Sequence, residues 1–215
     1  IRAGTTGMSS LPLILGHEPA GLVSEVGAAV EDFKPGDRVV ANNYITCGRC
    51  NYCRHGRTTL CDNVRQFGFN LDGGYAEYMK APALNVCKVP ANAPLEQACI
   101  IPDAIATSYH AVTKRAGVKP GMTVALIGTG GVGLHTLQMA RLAGGKTIAV
   151  DVSEERLALA KKLGADEVVD GRSAPFHEQI RRLTGGEGVD VVLEFVANGE
   201  TLEVAGVSAF RFSED

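Results

Sequence analysis

Two groups of residues in this chain have the types and spacing for chemistry. The first is Cys47, Cys50 and Cys53, two overlapping C-x-x-C steps, with Cys61 returning a fourth thiol after one short loop. Four thiolates so spaced suit a tetrahedral Zn2+ with every position filled. Such a shell leaves no place for water, so the metal would hold structure rather than act on a substrate. An iron–sulfur cluster and free buried thiols are the weaker alternatives. Arg49, Arg54 and Arg57 stand nearby and would offset the negative charge of the centre, while His55 is surplus to four ligands and reads as solvated. The second group is Gly128, Gly130, Gly131 and Gly133. Gly128 allows a tight turn, Gly130 lets a pyrophosphate approach bare backbone, and Gly133 lets a helix lie close on a sheet. The N–H groups at the start of that helix then meet the phosphate charge.

Glycines at this spacing bind a nucleotide only in the right frame. Residues 124–127 are a short apolar run, read as a buried strand. Val132, Met139, Ala140 and Ala143 then share one helical face, and a second apolar run, 147–150, ends on Asp151. Strand, glycine turn, helix, strand and acid make the dinucleotide-binding pattern in its required context. Asp151 is placed to accept hydrogen bonds from both adenosine ribose hydroxyls and to repel a 2′-phosphate, which favours NAD over NADP. A ligand-free parallel α/β unit is the plain alternative. Ser153 is the expected N-cap of the next helix, with Leu157, Ala160 and Leu163 on its buried side and Gly164 ending it. A third short strand at 167–169, a helix at 176–183 stopped by Gly185 and Gly186, a buried fourth strand at 189–195 and a helix starting over 201–205 complete the reading. His135, in the first turns of the helix after the glycines and away from its core face, is within reach of a phosphate but reads as solvated, and His177 receives no role.

The first half has different punctuation. Residues 20–26 read as a strand, 34–37 (KPGD) as a tight turn and 38–41 as the next strand, a mostly-β pattern. Residues 73–79 look like a turn into a strand. Cys87 lies in an apolar-polar alternation and is expected to be a core thiol. From 95 to 116 the period changes to that of a helix, interrupted at Pro102, and this change marks a domain boundary. His110 on that stretch reads as packed or solvated. His17 beside Glu18, taken alone, reads the same way.

Composition narrows the classes. The formal net charge is −3 with both signs interspersed, so neither nucleic acid nor an anionic membrane is an expected partner. No apolar run approaches a membrane span. The chain has 26 glycines in 215 residues, well above the usual ~7%, which suits a turn-rich enzyme. Four of the six cysteines crowd one loop, which is no secreted disulfide framework, so a reducing cytoplasm is expected. Residue 1 is Ile, and residues 209–215 break the preceding pattern, so the sequence is expected to be a fragment.

Taken together, GHEPAGLVSEVG, FKPGDRV, CGRCNYC with Cys61, GGYAEYM and GTGGVG occur in the order and approximate spacing of one family. The chain resembles the zinc-containing, medium-chain alcohol dehydrogenases from about Leu11 to Leu202. The resemblance implies an α/β protein: a GroES-like, mostly-β catalytic domain with a zinc lobe over 1–103, and a Rossmann-type doubly wound parallel sheet over 104–215, both incomplete. It implies hydride transfer between an alcohol, aldehyde or ketone and NAD(H), with the alcohol oxygen on a catalytic zinc.

Roles follow residue by residue. His17 matches an imidazole ligand of the catalytic zinc, Glu18 the adjacent acid, and Asp103 the third protein ligand. Thr107 matches a residue that packs against the nicotinamide. Cys47, Cys50, Cys53 and Cys61 match the structural zinc lobe. Gly128, Gly130, Gly131, Val132, Gly133 and Asp151 match the cofactor site, Arg156 a basic residue near the adenosine ribose, and Glu194, Phe195 and Val196 the lining of the cofactor cleft. The family's first zinc ligand, a Cys, and its proton-relay Ser or Thr would lie upstream of Ile1, and two further sheet strands beyond residue 215. The fragment alone is therefore expected to be inactive and poorly soluble, and its parent a homodimer or homotetramer. A zinc-independent enone or quinone reductase and a non-catalytic nucleotide- or zinc-binding module are the competing readings. His17 and the cysteine lobe weigh against the first, and Asp103 with Thr107 against the second.

Overall fold

The computed structural model describes residues 11–173 and 175–208. Residues 209–215 lie outside that range. The chain divides into two compact units, Ile1–Asp103 and Ala104–Asp215.

The first unit is built on a three-stranded antiparallel sheet, β1 (Ala20–Leu22), β2 (Arg38–Ala41) and β5 (Val86–Lys88), with β2 in the centre. A smaller pair, β3 (Tyr44–Ile45) and β4 (Arg65–Gln66), flanks the cysteine loop, which holds the short helix α1 (Asn51–Arg54). The turn before β2 forms as its sequence suggests. Gly36 takes a φ of +89°, and the Asp37 carboxylate accepts the Lys34 N–H at 3.1 Å. That turn also shortens β1, which was expected to reach residue 26. Leu22 is paired with Arg38, where β2 starts, so residues beyond it have no strand to meet. Cys87 is exposed rather than buried, a correction with a simple cause: β5 is an edge strand, and burial reaches only its partner Val40 on the central one. Residues 73–79 form no strand. Instead Gly73, Gly74 and Tyr75 donate their N–H groups to Ile14, Gly16 and Leu15, clamping the segment before His17. The buried core here is small, Val40, Val89 and Ala98, with Ala93 and Leu95 of the Pro94-capped helix α2 (Leu95–Ala98) and its approach packed against it.

The helical stretch expected from 95 to 116 is broken more than once. α2 is one turn long. Ile101–Ile105 is a wide π-type turn, α3 (Ala106–His110) is regular, and Ala111–Arg115 widens again. Pro102 has no N–H to give a regular ladder, and the wide turn accommodates it.

The second unit is a four-stranded parallel sheet in the order β8-β7-β6-β9: β6 (Thr123–Ile127), β7 (Lys146–Asp151), β8 (Glu167–Asp170) and β9 (Val191–Glu194). Its helices are α4 (Gly131–Leu142), α5 (Glu154–Lys162), α6 (Phe176–Leu183) and α7 (Gly199–Ser208). β6 is buried on both faces, as the centre of a doubly wound sheet must be. Val124 and Leu126 face one core with Leu137 and Ala140 of α4; Ala125 and Ile127 face the other with Phe176 and Ile180 of α6. The buried face of α4 is Gly133, Thr136, Leu137 and Ala140, so the expected face was rotated: Val132 is only half-buried. Ser153 caps α5 as expected, and Gly164 after it takes a φ of +99°. β9 is shorter and only half-buried, because among the described residues it pairs on one side alone, with β6. No helix among the described residues is long and apolar enough to cross a membrane.

Carboxylates fasten the N-terminal ends of these strands. Asp190 accepts the Thr123 N–H at 2.7 Å, and Asp166 accepts the Thr147 N–H at 2.8 Å and its hydroxyl at 3.0 Å. Partial burial raises the Asp166 pKa, but the two Thr147 donors and the Arg141 charge outweigh it, so the carboxyl ionises below its ordinary value. The stabilisation is therefore complete above pH ~4 and is lost as pH falls through the native value. Asp166→Asn should destabilise the unit by about 1 kcal/mol at pH 7, after discounting for solvent screening, and the gap to the parent should hold down to pH ~4 and close only below it in urea melts. Gly133→Ala should be far worse, because its Cβ would stand 2.0 Å from the Gly128 carbonyl oxygen. We expect a loss of about 3 kcal/mol in the same melts.

Candidate functional site

The glycine turn runs from the end of β6 into α4. Gly128 takes a φ of +91°, which a side chain rarely adopts, and its N–H donates to the Val150 carbonyl on β7 at 2.8 Å. Gly130 is the N-cap of α4 and supplies no side chain to cap it. A Cβ on Gly130 or Gly131 would meet open space. The helix start is thus bare backbone facing a void, the arrangement that receives an anion.

That void is a cavity of about 810 Å3 within the second unit. It is lined by Gly128, Gly130, Gly131, Val132, Gly133, Asp151, Arg156, Phe195, Val196 and Thr107, so it gathers the residues that the sequence assigned to the cofactor except Glu194, which does not line it. Sequence reasoning missed Phe176, Asn198 and Thr201, which also line it. Asn198 and Thr201 had a signal, since Thr201 donates its N–H to Asn198 Oδ1 at 2.8 Å in a capping pair at the start of α7. Val196 is held from behind. The Glu194 carboxylate accepts the Val196 N–H at 2.7 Å and the Ala197 N–H at 2.9 Å, and Ala197 sits at a φ of +57°.

Asp151 is 7% exposed and has most of its acceptor capacity engaged. Oδ2 accepts the Thr129 N–H at 2.7 Å and the Thr129 hydroxyl at 2.9 Å; Oδ1 accepts the Ser153 N–H at 2.9 Å. Arg156 Nη1 is 3.8 Å from Oδ2. Burial pushes this carboxyl up, but those three donors and the Arg156 charge outweigh it, and its pKa lies below the ordinary value. A carboxylate offers about four acceptor sites, and three are taken from within the protein. On that count about one acceptor site remains open to a ligand.

In the first unit, the sulfurs of Cys47, Cys50, Cys53 and Cys61 all lie within 4.8 Å of one another, the one such group of three or more metal-binding side chains among the described residues. Backbone N–H groups point at them. Cys50 donates to Cys47 Sγ at 3.4 Å, Cys53 to Cys50 Sγ at 3.5 Å, and Cys47 and Asn63 to Cys61 Sγ at 3.3 and 3.4 Å. N–H groups of Arg49 and Cys50 lower the Cys47 thiol to about 6, whereas burial and the neighbouring sulfurs push Cys53 up to about 12. Four sulfurs this close cannot all be anionic without a cation among them. A Zn–S bond of ~2.3 Å puts tetrahedral sulfurs ~3.8 Å apart, so the donor set fits Zn2+. His55 is exposed, with Nδ1 2.8 Å from the Asn51 carbonyl oxygen.

His17 and Asp103 also meet. Nε2 is 2.9 Å from Asp103 Oδ2, both side chains are half-buried, and the Phe69 ring lies 5.4 Å from the imidazole. The clamp of residues 73–75 positions His17, and the wide turn at Ile101–Ile105 presents Asp103. Glu18 does not join them in a three-donor cluster. The chemistry of this pair suits zinc, and it supplies two of the three protein ligands that a catalytic zinc takes.

Comparison with known proteins agrees with this geometry. The alcohol dehydrogenase GroES-like domain family matches residues 1–91, and the zinc-binding dehydrogenase family matches residues 131–208. An alcohol dehydrogenase of Geobacillus stearothermophilus is 44% identical over 183 residues, covering 85% of this chain and 54% of that protein. An NAD-dependent alcohol dehydrogenase of Sulfurisphaera tokodaii is 40% identical over 197 residues, covering 90% of this chain and 56% of its own length. Among solved structures, an NAD-dependent alcohol dehydrogenase superposes with a TM-score of 0.91 at 36% identity, over 97% of this chain and 61% of that one. A putative zinc-binding dehydrogenase from Sinorhizobium meliloti, bound to NADP, gives 0.90 at 36% identity, over 95% of this chain and 60% of that one. The chain spans little more than half the length of the curated relatives it matches. With both family patterns in order and the cysteine cluster formed, the chain belongs to the zinc-containing medium-chain alcohol dehydrogenase family.

Proposed function

We propose that this chain carries the cofactor-binding and zinc-bearing parts of an NAD-dependent zinc alcohol dehydrogenase, which interconverts a small alcohol and its aldehyde or ketone. The observation that carries the reading is the cavity in the second unit, where an uncapped helix start and a buried carboxylate face the same space. NAD, when bound, supplies the ring that takes up or returns a hydride. The backbone N–H groups at the start of α4 meet the pyrophosphate. Asp151 accepts a ribose hydroxyl and repels a 2′-phosphate, and Arg156 flanks the adenosine end. Thr107 packs against the nicotinamide, and Val196 lines the cleft.

Zinc at Cys47, Cys50, Cys53 and Cys61 cross-links a lobe too small to build its own core. His17 and Asp103 would hold a second zinc, with Glu18 adjacent in sequence, and that ion would supply positive charge to a substrate oxygen. The six unpaired thiols support a reducing, cytoplasmic setting. Assembly as a homodimer or homotetramer completes the proposal.

The reading makes two glycines differ. Gly133→Ala should destabilise the fold, but Gly130→Ala adds a methyl only to the space kept for the ligand. We expect Gly130→Ala to melt within about 0.5 kcal/mol of the parent while weakening NADH binding about tenfold, followed by fluorescence titration. An unchanged NADH affinity would remove the pyrophosphate from this turn. For the lobe, elemental analysis should find zinc held by the cysteines, absent from Cys61→Ser. Chelation should speed amide exchange across residues 44–66 roughly tenfold or more. A chelated protein with unaltered exchange there would remove the structural metal.

A further inference from the structure

Thr129 occupies the second position of the glycine turn, between Gly128 and Gly130, and the pattern asks nothing of that position. It is 0% exposed, and it does not line the cavity. Yet it donates twice to one oxygen of Asp151, from its N–H at 2.7 Å and from its hydroxyl at 2.9 Å. The N–H bond is available to any residue here. The hydroxyl bond belongs to Thr or Ser.

We infer that Thr129 is a positioning residue for nucleotide preference, setting which oxygen of Asp151 the adenosine ribose meets. The inference rests on the reading of the cavity as the NAD site. A carboxylate on a strand end can turn about its last side-chain bond, since sp3–sp2 torsions are broad. Here three donors fix that torsion. Thr129 occupies Oδ2 and Ser153 takes one site on Oδ1, and Asp151 lines the cavity, so in this inference the ribose sits at the remaining Oδ1 site. A ribose 2′-hydroxyl can donate to that site, and a 2′-phosphate cannot. Loss of the Thr129 hydroxyl frees one site on Oδ2 and loosens the torsion, so the ribose bond is lost or shared between orientations. The repulsion of a 2′-phosphate depends on the charge of Asp151 at that place, and a small rotation leaves it nearly unchanged. The two nucleotides therefore respond unequally, which a purely structural role for Thr129 would not produce.

The test titrates the 215-residue chain and two variants with NADH and NADPH by fluorescence, each checked for folding by circular dichroism and melting. The parent should prefer NADH at least about tenfold. Thr129→Val keeps the shape and should weaken NADH about five- to tenfold while shifting NADPH less than about twofold. Thr129→Ser keeps the donor and should return both affinities to within about twofold of the parent. AMP and adenosine 2′,5′-bisphosphate as half-cofactor probes should repeat the pattern, which ties the effect to the ribose end. Equal losses for NADH and NADPH in Thr129→Val, or a Ser variant that behaves like Val, would overturn the inference while leaving the NAD site standing. So would a parent that binds both nucleotides without preference. A parent that binds neither would overturn the nucleotide reading and this inference with it.

Discussion

The carboxylate of Asp151 is the point on which the second unit turns. It closes the C-terminal end of β7, and it takes the N–H and hydroxyl of Thr129 from the turn that leaves β6. Hydrogen bonds to a charged group are worth about 1.5–3 kcal/mol each, more than neutral ones. Two of them at one buried oxygen lock the glycine turn to the neighbouring strand. With the turn locked there, α4 can start on glycine without a side-chain cap, and its first N–H groups remain open to the cavity. Asp166 repeats the device at the other end of the sheet, taking the N–H and hydroxyl of Thr147, and Asp190 takes the Thr123 N–H beside it.

The first unit solves a different problem. Its buried apolar cluster is Val40, Val89 and Ala98, with little around it. Small lobes of this kind need a staple. The cysteine loop is placed to supply one, with backbone N–H groups converging on the four clustered sulfurs. The thiols are unequal: backbone N–H groups make Cys47 ionise easily, whereas burial, with the neighbouring sulfurs, makes Cys53 resist. A divalent ion offsets the charge of all four.

Much of this was legible in the chain itself. The C-x-x-C steps and the glycine turn are local, and backbone geometry dictates their spacing, so sequence alone locates them. The parallel strands were legible as apolar runs because both faces of β6 are buried. What escaped depends on neighbours far along the chain. The length of β1 is set by where β2 begins, at Arg38. Cys87 has the alternation of a core residue but stands on an edge strand, and no property of residues 86–89 reveals that. Residues 73–79 carry a strand-like composition, yet the N–H groups of residues 73–75 go to residues 14–16. The protein partners of Asp151 escaped as well, because the pattern records which residue is acidic and not how many of its lone pairs are already used.

The cavity is also preformed on its other wall, and the reason is a pair of buried hydroxyls. Ser108 follows Thr107 on α3, is 0% exposed, and has its Oγ 2.8 Å from the Ala104 carbonyl and 3.1 Å from that of Val132. Thr136 on α4, equally buried, donates within the same group, 3.0 Å from Ser108 Oγ and 2.9 Å from the Val132 carbonyl. Such a network between two helices stays in place only while every member is satisfied. It therefore fixes the spacing of α3 from the first turn of α4, which carries the glycine cradle. Thr107 and Val132 line the cavity from these two helices, and their separation is set before any ligand arrives. A site whose walls are fixed in this way spends little of its binding energy on ordering the protein. The hydroxyls that look like core exceptions in an apolar packing layer are what make the opening keep its shape.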